Sequence, residues 1–482
     1  MSDFQTIIGL EVHVELLTES KMFCCCSTKF GKQPNTQVCP VCLGLPGALP
    51  VVNEKAIELG IKTAVATNCK INQEFIFVRK SYFYPDLPKN FQISQYREPL
   101  AVNGYLDVNG KKIGIARIHL EEDTGKLLHD EKTGNWSYID FNRSGIPLME
   151  IVTKPEISNP EEAEDFLRKL KQILLYIGVS DCIMEEGSLR CDANISIKKA
   201  TDLQLGTKVE VKNMNSFRSV RRALAFEQER MIEILKKGES IVQETRLWNE
   251  QMQVTEGMRT KEEAHDYRYF PEPDLLPFRI SPETIKRISL EIGELPDERK
   301  KRFQQDYGLS SYDSEVLTAE KSVSDYFETA LSYYRQPKQI ANMIQTELLG
   351  LLKESHTRIE ETKVKPEFLA RIVEMIDNKI ISSTAGKMVL REIFASGMDP
   401  ETIVREKNLI QISDTQEIET IIQEILSEHS QAVSDYKAGK MQALGFLVGQ
   451  VMKKSKNKAN PTVVKQILEK KLTAMINKTE EK

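Results

Sequence analysis

Several signatures that would settle a function class are missing from these 482 residues. There is no run of about 18 apolar residues, so no membrane-spanning helix is expected. The opening Met1-Ser2-Asp3-Phe4-Gln5 carries neither a basic nor an apolar stretch, so no secretory signal is expected either. A phosphate loop of the Gly-x-x-x-x-Gly-Lys-Ser/Thr type is absent. Gly104 to Lys112 comes nearest, with the wrong spacing and no hydroxyl residue after the lysine. Gly-x-Gly-x-x-Gly, Gly-x-Ser-x-Gly and the paired histidines of zinc proteases are missing too, which argues against a dinucleotide fold and a nucleophilic hydrolase. If this chain handles a nucleotide, it does so on a sheet, with metal and side-chain cations.

What is present describes a soluble protein of about two to four domains. With no export signal, the eight cysteines read as thiols or metal ligands in a reducing, cytoplasmic setting rather than as disulfides. The net charge of −5 conceals an asymmetry. From Lys437 onward there are 11 lysines against Glu469, Glu480 and Glu481, a local net of +8, while the remainder carries −13. A basic tail on an acidic body suits a polyanionic partner, although a solvated lysine-rich tail has the same composition.

The segment Gly9 to Leu16 alternates. As a strand it puts Glu11, His13 and Glu15 on one face and Leu10, Val12, Val14 and Leu16 on the other. The polar face suits a divalent cation with its phosphate cargo, or simply solvent. Next come Cys24-Cys25-Cys26 and Cys39-Pro40-Val41-Cys42, two cysteine turns with the spacing of a tetrahedral zinc knuckle. The triplet leaves open which two thiols coordinate; we assign Cys24 and Cys26 with Cys39 and Cys42. Arg79 to Lys89 interleaves cations with aromatics, a mix that can stack a base and hold phosphate or pack over a core. The alternating Ile113 to Leu120 runs into Glu121-Glu122-Asp123-Thr124-Gly125-Lys126. In the apolar run Ile146 to Val152, Glu150 is the conspicuous residue, because a carboxylate there must be paired, metal-bound or facing a cavity. Further on, Arg190, Asp192 and Asn194 share one face of a strand, as do Lys208, Glu210 and Lys212. Helices are expected from Pro160 to Ile177 and after Ser216.

These motifs resemble one family over nearly the whole chain. The match is carried by Ile8 to Leu16, the Cys-Pro-Val-Cys-Leu-Gly knuckle, Tyr82 to Asp86, Glu121 to Asp123, Asn142 to Glu150, Met184 to Ser196, Val211 to Phe217, Asp266 to Asp274 and Gly445 to Lys453. The family is GatB, the B subunits of the bacterial aspartyl/glutamyl-tRNA amidotransferases. The resemblance implies a cytoplasmic ligase that binds misacylated Glu-tRNA(Gln) or Asp-tRNA(Asn). It phosphorylates the side-chain carboxylate with ATP and Mg2+, then forms the amide with ammonia channelled from a glutaminase (amidase) partner. A third, small protein completes the heterotrimer. Carried over to this chain, the metal residues fall on His13, Glu122 and Glu150, with Glu11 and Asp192 beside them. Strict alternation groups Glu122 with Ile118 and Leu120, so this assignment requires the strand to end or bulge first. Arg143, Arg190 and Lys208 are candidate phosphate clamps. Because some relatives lack the four cysteines, zinc at the knuckle is expected to be structural.

The resulting fold class is α+β. A mixed or antiparallel sheet cradle occupies 1–293, a helical linker domain 294–408, and a basic helical tail 409–482. Strand patterns stop near Glu294, and stripes such as Ile418, Ile421, Ile422 and Ile425 take over. In the tail, Lys453, Lys454, Lys456 and Lys458 form a dense loop expected to grip tRNA. Two other classes share these features: a tRNA-binding scaffold without chemistry, and a metal-dependent phosphohydrolase.

Overall fold

A computed structural model describes residues 3–129, 136–258, 267–411, 415–455, 458–459 and 461–480. Asp266 and Lys456, both singled out above, lie outside the described residues. The architecture is α+β, and the chain divides into two compact units, Met1–Pro296 and Asp297–Lys482.

The first unit is built on a nine-stranded sheet. Across it run Val254–Gly257, Thr245–Asn249, Lys208–Lys212, Leu189–Lys199, Phe4–Glu15, Pro147–Thr153, Lys111–Glu122, Ala101–Val108 and Lys70–Ile71. All pairings are antiparallel except that between Lys208–Lys212 and Thr245–Asn249. The opening strand occupies the middle. Its Ile8, Leu10, Val12 and Val14 are buried in a core shared with Phe166, Leu170 and Leu174 of helix Pro160–Tyr176 and with Val220, Leu224 and Met231 of helix Phe217–Lys236. Both helices start on side-chain caps: Asn159 accepts the N–H of Glu162, and Ser216 that of Ser219. Helices thus cover one face of the sheet. The odd-numbered residues of the opening strand point to the other.

A separate three-stranded sheet sets Val78–Ser81 between Phe91–Ser94 and Phe270–Pro271. Arg79 fastens it: Nε and Nη2 donate to the two carboxylate oxygens of buried Glu272 at 2.7 and 2.8 Å, and the guanidinium lies 4.2 Å over the Phe91 ring. Glu272→Ala should therefore destabilise this unit by about 2 kcal/mol, a value discounted because Arg79 can partly rehydrate. Both tryptophans, Trp136 and Trp248, belong to the first unit, so a urea titration followed by tryptophan fluorescence checks this selectively.

The second unit is helical, with no named strand among its described residues. One buried cluster runs from Phe303 to Val404; another comprises Ile418, Ile422, Ile425, Leu444, Leu447, Val451, Val464, Leu468 and neighbours. Among the described residues no helix is long and apolar enough to cross a membrane.

Candidate active site

Strand register assembles the polar face. His13 stands opposite Glu150 on one side and Arg190 on the other; Glu11 stands opposite Asp192, and Glu150 opposite His119. Neighbouring strands lie about 4.8 Å apart, so residues distant in sequence meet within side-chain reach. They line a cavity of about 490 Å3, together with Glu121, Asp123, Arg117, Glu210 and Lys212 from the sheet and with Lys80, Tyr82, Tyr96, Tyr267 and Tyr269.

Glu150 is the centre of this site. His119 Nε2 lies 2.8 Å from Glu150 Oε2, and His13 Nε2 lies 3.6 Å from the same oxygen. Burial works to raise the Glu150 carboxyl, but the two imidazoles outweigh it and hold the group far below the usual carboxylate range. His13 shifts up in turn: burial opposes its charge, and Glu150 and Glu121 prevail. Glu121 approaches His13 to 3.9 Å and accepts a hydrogen bond from Ser94 Oγ at 2.9 Å. Donor atoms of His13, Glu121 and Glu150 all fall within 4.8 Å of one another. Two carboxylates and one imidazole suit a hard divalent cation that retains several waters. His119 Nδ1, buried and without a hydrogen-bond partner among the described residues, adds spare donor capacity.

Glu122 does not join this set. The Lys111–Glu122 strand has its register shift earlier, between Ile115 and Arg117, and stays regular from Arg117 to its last residue, with Pro147 opposite Glu122 and Leu148 opposite Glu121. The bulge that the assignment of Glu122 required is absent, and Glu122 falls on the opposite side. There it accepts hydrogen bonds from Lys89 Nζ and from the Ile93 N–H at 2.9 Å. Glu121 takes its place in the cavity. Glu121→Gln should weaken the binding of a divalent cation in the cavity by about tenfold or more. Glu122→Gln, which strands Lys89, should instead cost stability. Calorimetric titration with Mg2+ beside urea unfolding of each variant separates the two.

The predicted cations are distributed unevenly. Arg190 lines the cavity and donates to Asp123 at 2.6 Å. Arg143 acts one step away: it holds the Thr124 and Gly125 carbonyls at 3.0 and 2.8 Å and lies 3.6 Å from Asp123. Lys208 is exposed and does not line the cavity; Lys212, on the same strand, does, and pairs with Asp192 and Glu210. Glu11 accepts from Asn194 at 2.9 Å. Glu15, half-buried and beside Asp123, is pushed up to about 8 by desolvation and by the Asp123 charge. Lys80, missed from sequence, lies 4.9 Å over the Tyr267 ring, and Tyr96 stacks on Tyr269 at 4.3 Å. Burial disfavours the Lys80 charge, yet Glu121 and the tyrosines raise its pKa on balance.

Cys24, Cys26, Cys39 and Cys42 converge, their sulfurs within 4.8 Å of one another, and Cys25 stays outside. Cys39 N–H donates to Cys42 Sγ at 3.2 Å, the N–H···S geometry of a knuckle turn. Hydrogen bonding from Cys24, with the Cys39 N–H and Lys21 nearby, holds Cys42 at about 5, whereas burial and Cys39 push Cys26 up to about 12. Four thiols whose sulfurs converge at this spacing suit a cation that displaces their protons. In the tail, Lys453 is exposed at the end of helix Gln442–Lys454, and Lys458 is half-buried. Lys454 is not a free cation: it pairs with Glu424 and Glu428 at 2.9 and 2.6 Å.

Comparison with known proteins bears on the whole chain. Residues 6–286 match the family model described as the GatB/GatE catalytic domain, and residues 325–472 match the GatB domain. A protein of Carboxydothermus hydrogenoformans is 53% identical, covering 98% of this chain and 100% of the relative. One from Persephonella marina is 52% identical over 98% and 100%, and one from Geotalea daltonii 49% over 98% and 99%. All three are named as the B subunit of an aspartyl/glutamyl-tRNA(Asn/Gln) amidotransferase. The chain belongs to the GatB family, the B subunits of the tRNA-dependent amidotransferases.

Proposed function

We propose that this chain activates and amidates the side-chain carboxylate of glutamate on tRNA(Gln), of aspartate on tRNA(Asn), or of both. It works in the cytoplasm with two partner subunits, one an amidase and the other a small protein. The observation that carries the reading is the convergence of Glu150, Glu121, His13 and His119 at one point of a cavity ringed by Arg190, Lys212 and Lys80.

A carboxylate resists ammonia until one of its oxygens becomes part of a leaving group. An oxygen of the substrate side chain attacks the γ-phosphorus of ATP, the bond to ADP breaks, and an acyl phosphate forms. Ammonia then adds to the acyl carbon, phosphate departs with that oxygen, and one proton is lost from nitrogen. Phosphoryl transfer asks the protein mainly for positioning and charge neutralisation. Mg2+, when bound, supplies the charge that neutralises the phosphates. Glu150, Glu121 and His13 are its proposed ligands; Arg190, Lys212 and Lys80 steady phosphate oxygens, and Arg143 orders the Thr124–Gly125 backbone beside them. Glu11 and Asp192 orient Asn194 and Lys212 at one end of the cavity. The tyrosine wall excludes water, which protects the acyl phosphate from hydrolysis. Cys24, Cys26, Cys39 and Cys42 would hold Zn2+, which with four thiolates would serve structure. The basic tail holds the tRNA.

The test is reconstitution with both partner subunits and misacylated tRNA. ATP turnover and amide formation should rise together, and only when misacylated tRNA is present. ATP turnover independent of tRNA would identify a phosphohydrolase, and tRNA binding without turnover a scaffold.

A further inference from the structure

Lys21 is completely buried, a rare fate for lysine unless its charge is paired. Among the described residues no carboxylate comes within ion-pair reach of it. Its Nζ has two partners: Cys42 Sγ at 3.7 Å and the Phe141 carbonyl oxygen at 3.3 Å. The anion available to this ammonium is therefore a thiolate.

Four cysteine thiolates around a divalent cation carry a net charge of −2; three of these cysteines are half-buried, but Cys42 is buried, and it is there that a compensating charge is needed. We propose that Lys21 is the counter-charge of the four-cysteine centre, with its ammonium set against Cys42 so that zinc is held more tightly. The proposal rests on the reading of this centre as a zinc site. The surroundings are built for it. Gly145 has φ +89°, and a Cβ there would come within 3.3 Å of Lys21 Cδ and 3.5 Å of Cys42 Cβ, so the glycine leaves room for the lysine stem. Lys21 N–H donates to the Cys26 carbonyl at 2.9 Å, and Met22 N–H to the Gly145 carbonyl at 2.7 Å, which fixes the lysine backbone between the first cysteine turn and the turn that ends at Gly145.

The same ammonium connects the centre to the site. Phe141 begins the turn that leads into the Pro147–Thr153 strand carrying Glu150. Asn142 of that turn donates to the Gln33 carbonyl at 2.6 Å and accepts the Gln37 N–H at 2.8 Å, both from the loop between the cysteine pairs. Lys21 is in this sense a positioning residue.

The experiment compares full-length wild type, Lys21→Met, Lys21→Gln and Lys21→Arg. Zinc content is measured by elemental analysis, and zinc affinity by competition with a chromogenic chelator at fixed pH. Wild type should hold one zinc per chain. Lys21→Met and Lys21→Gln should bind it at least about tenfold more weakly, the scale for losing a group that supports a metal ligand. Lys21→Arg should retain most of the affinity. Where Lys21→Met does not fold, Lys21→Gln against Lys21→Arg carries the test, since both keep a polar head and differ in charge. Equal zinc affinity in all four proteins overturns the proposal and leaves the zinc reading standing. A wild type that holds no zinc, indistinguishable from a Cys42→Ser control, overturns both.

Discussion

Glu150→Gln should abolish amide formation while tRNA stays bound. The substitution preserves volume and a hydrogen-bonding head, so the strand and its pairing with the His13 and His119 strands should persist. What it removes is the carboxylate that approaches both imidazoles more closely than Glu121 does, 2.8 Å from His119 and 3.6 Å from His13 against 3.9 Å to each for Glu121. A cation-binding set of two carboxylates is thereby halved in charge, at the point where the transferred phosphoryl needs neutralising. We expect kcat to fall by about 10³-fold, equivalent to about 4 kcal/mol of lost transition-state stabilisation. KM for tRNA should change little if the tail holds the tRNA as proposed. Single-turnover assays with Glu-tRNA(Gln) and free ammonia, alongside filter binding, separate the two quantities. Normal conversion would show the metal assignment to be wrong.

Removing the tail should have a large effect on a different quantity. The helices from Thr415 onward have a buried cluster of their own, and the segment from Lys437 to the end carries a net charge of +8. Cutting at 409, as composition suggests, would damage the preceding helices: Leu409 packs against their core, and the Gln411 N–H donates to the Ile380 carbonyl at 2.7 Å. A chain ending at Gln411 avoids this. Its tRNA affinity should drop by about 10²-fold or more at moderate salt, and the slope of log affinity against log salt should flatten as phosphate contacts are lost. Zinc content and the thermal transition reported by tryptophan should not change. Lys453 should contribute more to the loss than Lys454, which is occupied by Glu424 and Glu428.

Much of the sheet and part of its site were legible in the sequence because alternation is a local property. The opening strand sorts its side chains as its pattern dictates, and Glu150 draws attention through its apolar neighbours alone. The expected helices after Asn159 and Ser216 begin at those caps, because capping too is local. Glu121 and Glu122 are harder. Which of two adjacent carboxylates enters the cavity depends on the strand remaining regular to its end, and pairing with a strand about 25 residues later decides that. His119 was overlooked for a related reason: its role depends on Glu150, 31 residues away, and the register that joins them is tertiary. Lys208 and Lys212 share a face, so periodicity does not rank them. The extent of the cavity along the strand does. Lys80 arrives from a separate small sheet, and no pattern within its own segment discloses the ring of Tyr267 beneath it.

If the side-chain carboxylate is phosphorylated before it is amidated, one of its oxygens must pass into the released phosphate, and isotope transfer reads this step. Glutamate labelled with 18O at both side-chain carboxylate oxygens is charged onto tRNA(Gln) and converted by the reconstituted enzyme with ATP and ammonia. One 18O is expected in the phosphate released for each amide formed, with the second oxygen kept in the amide. Phosphate free of 18O, alongside normal amide formation, would contradict it.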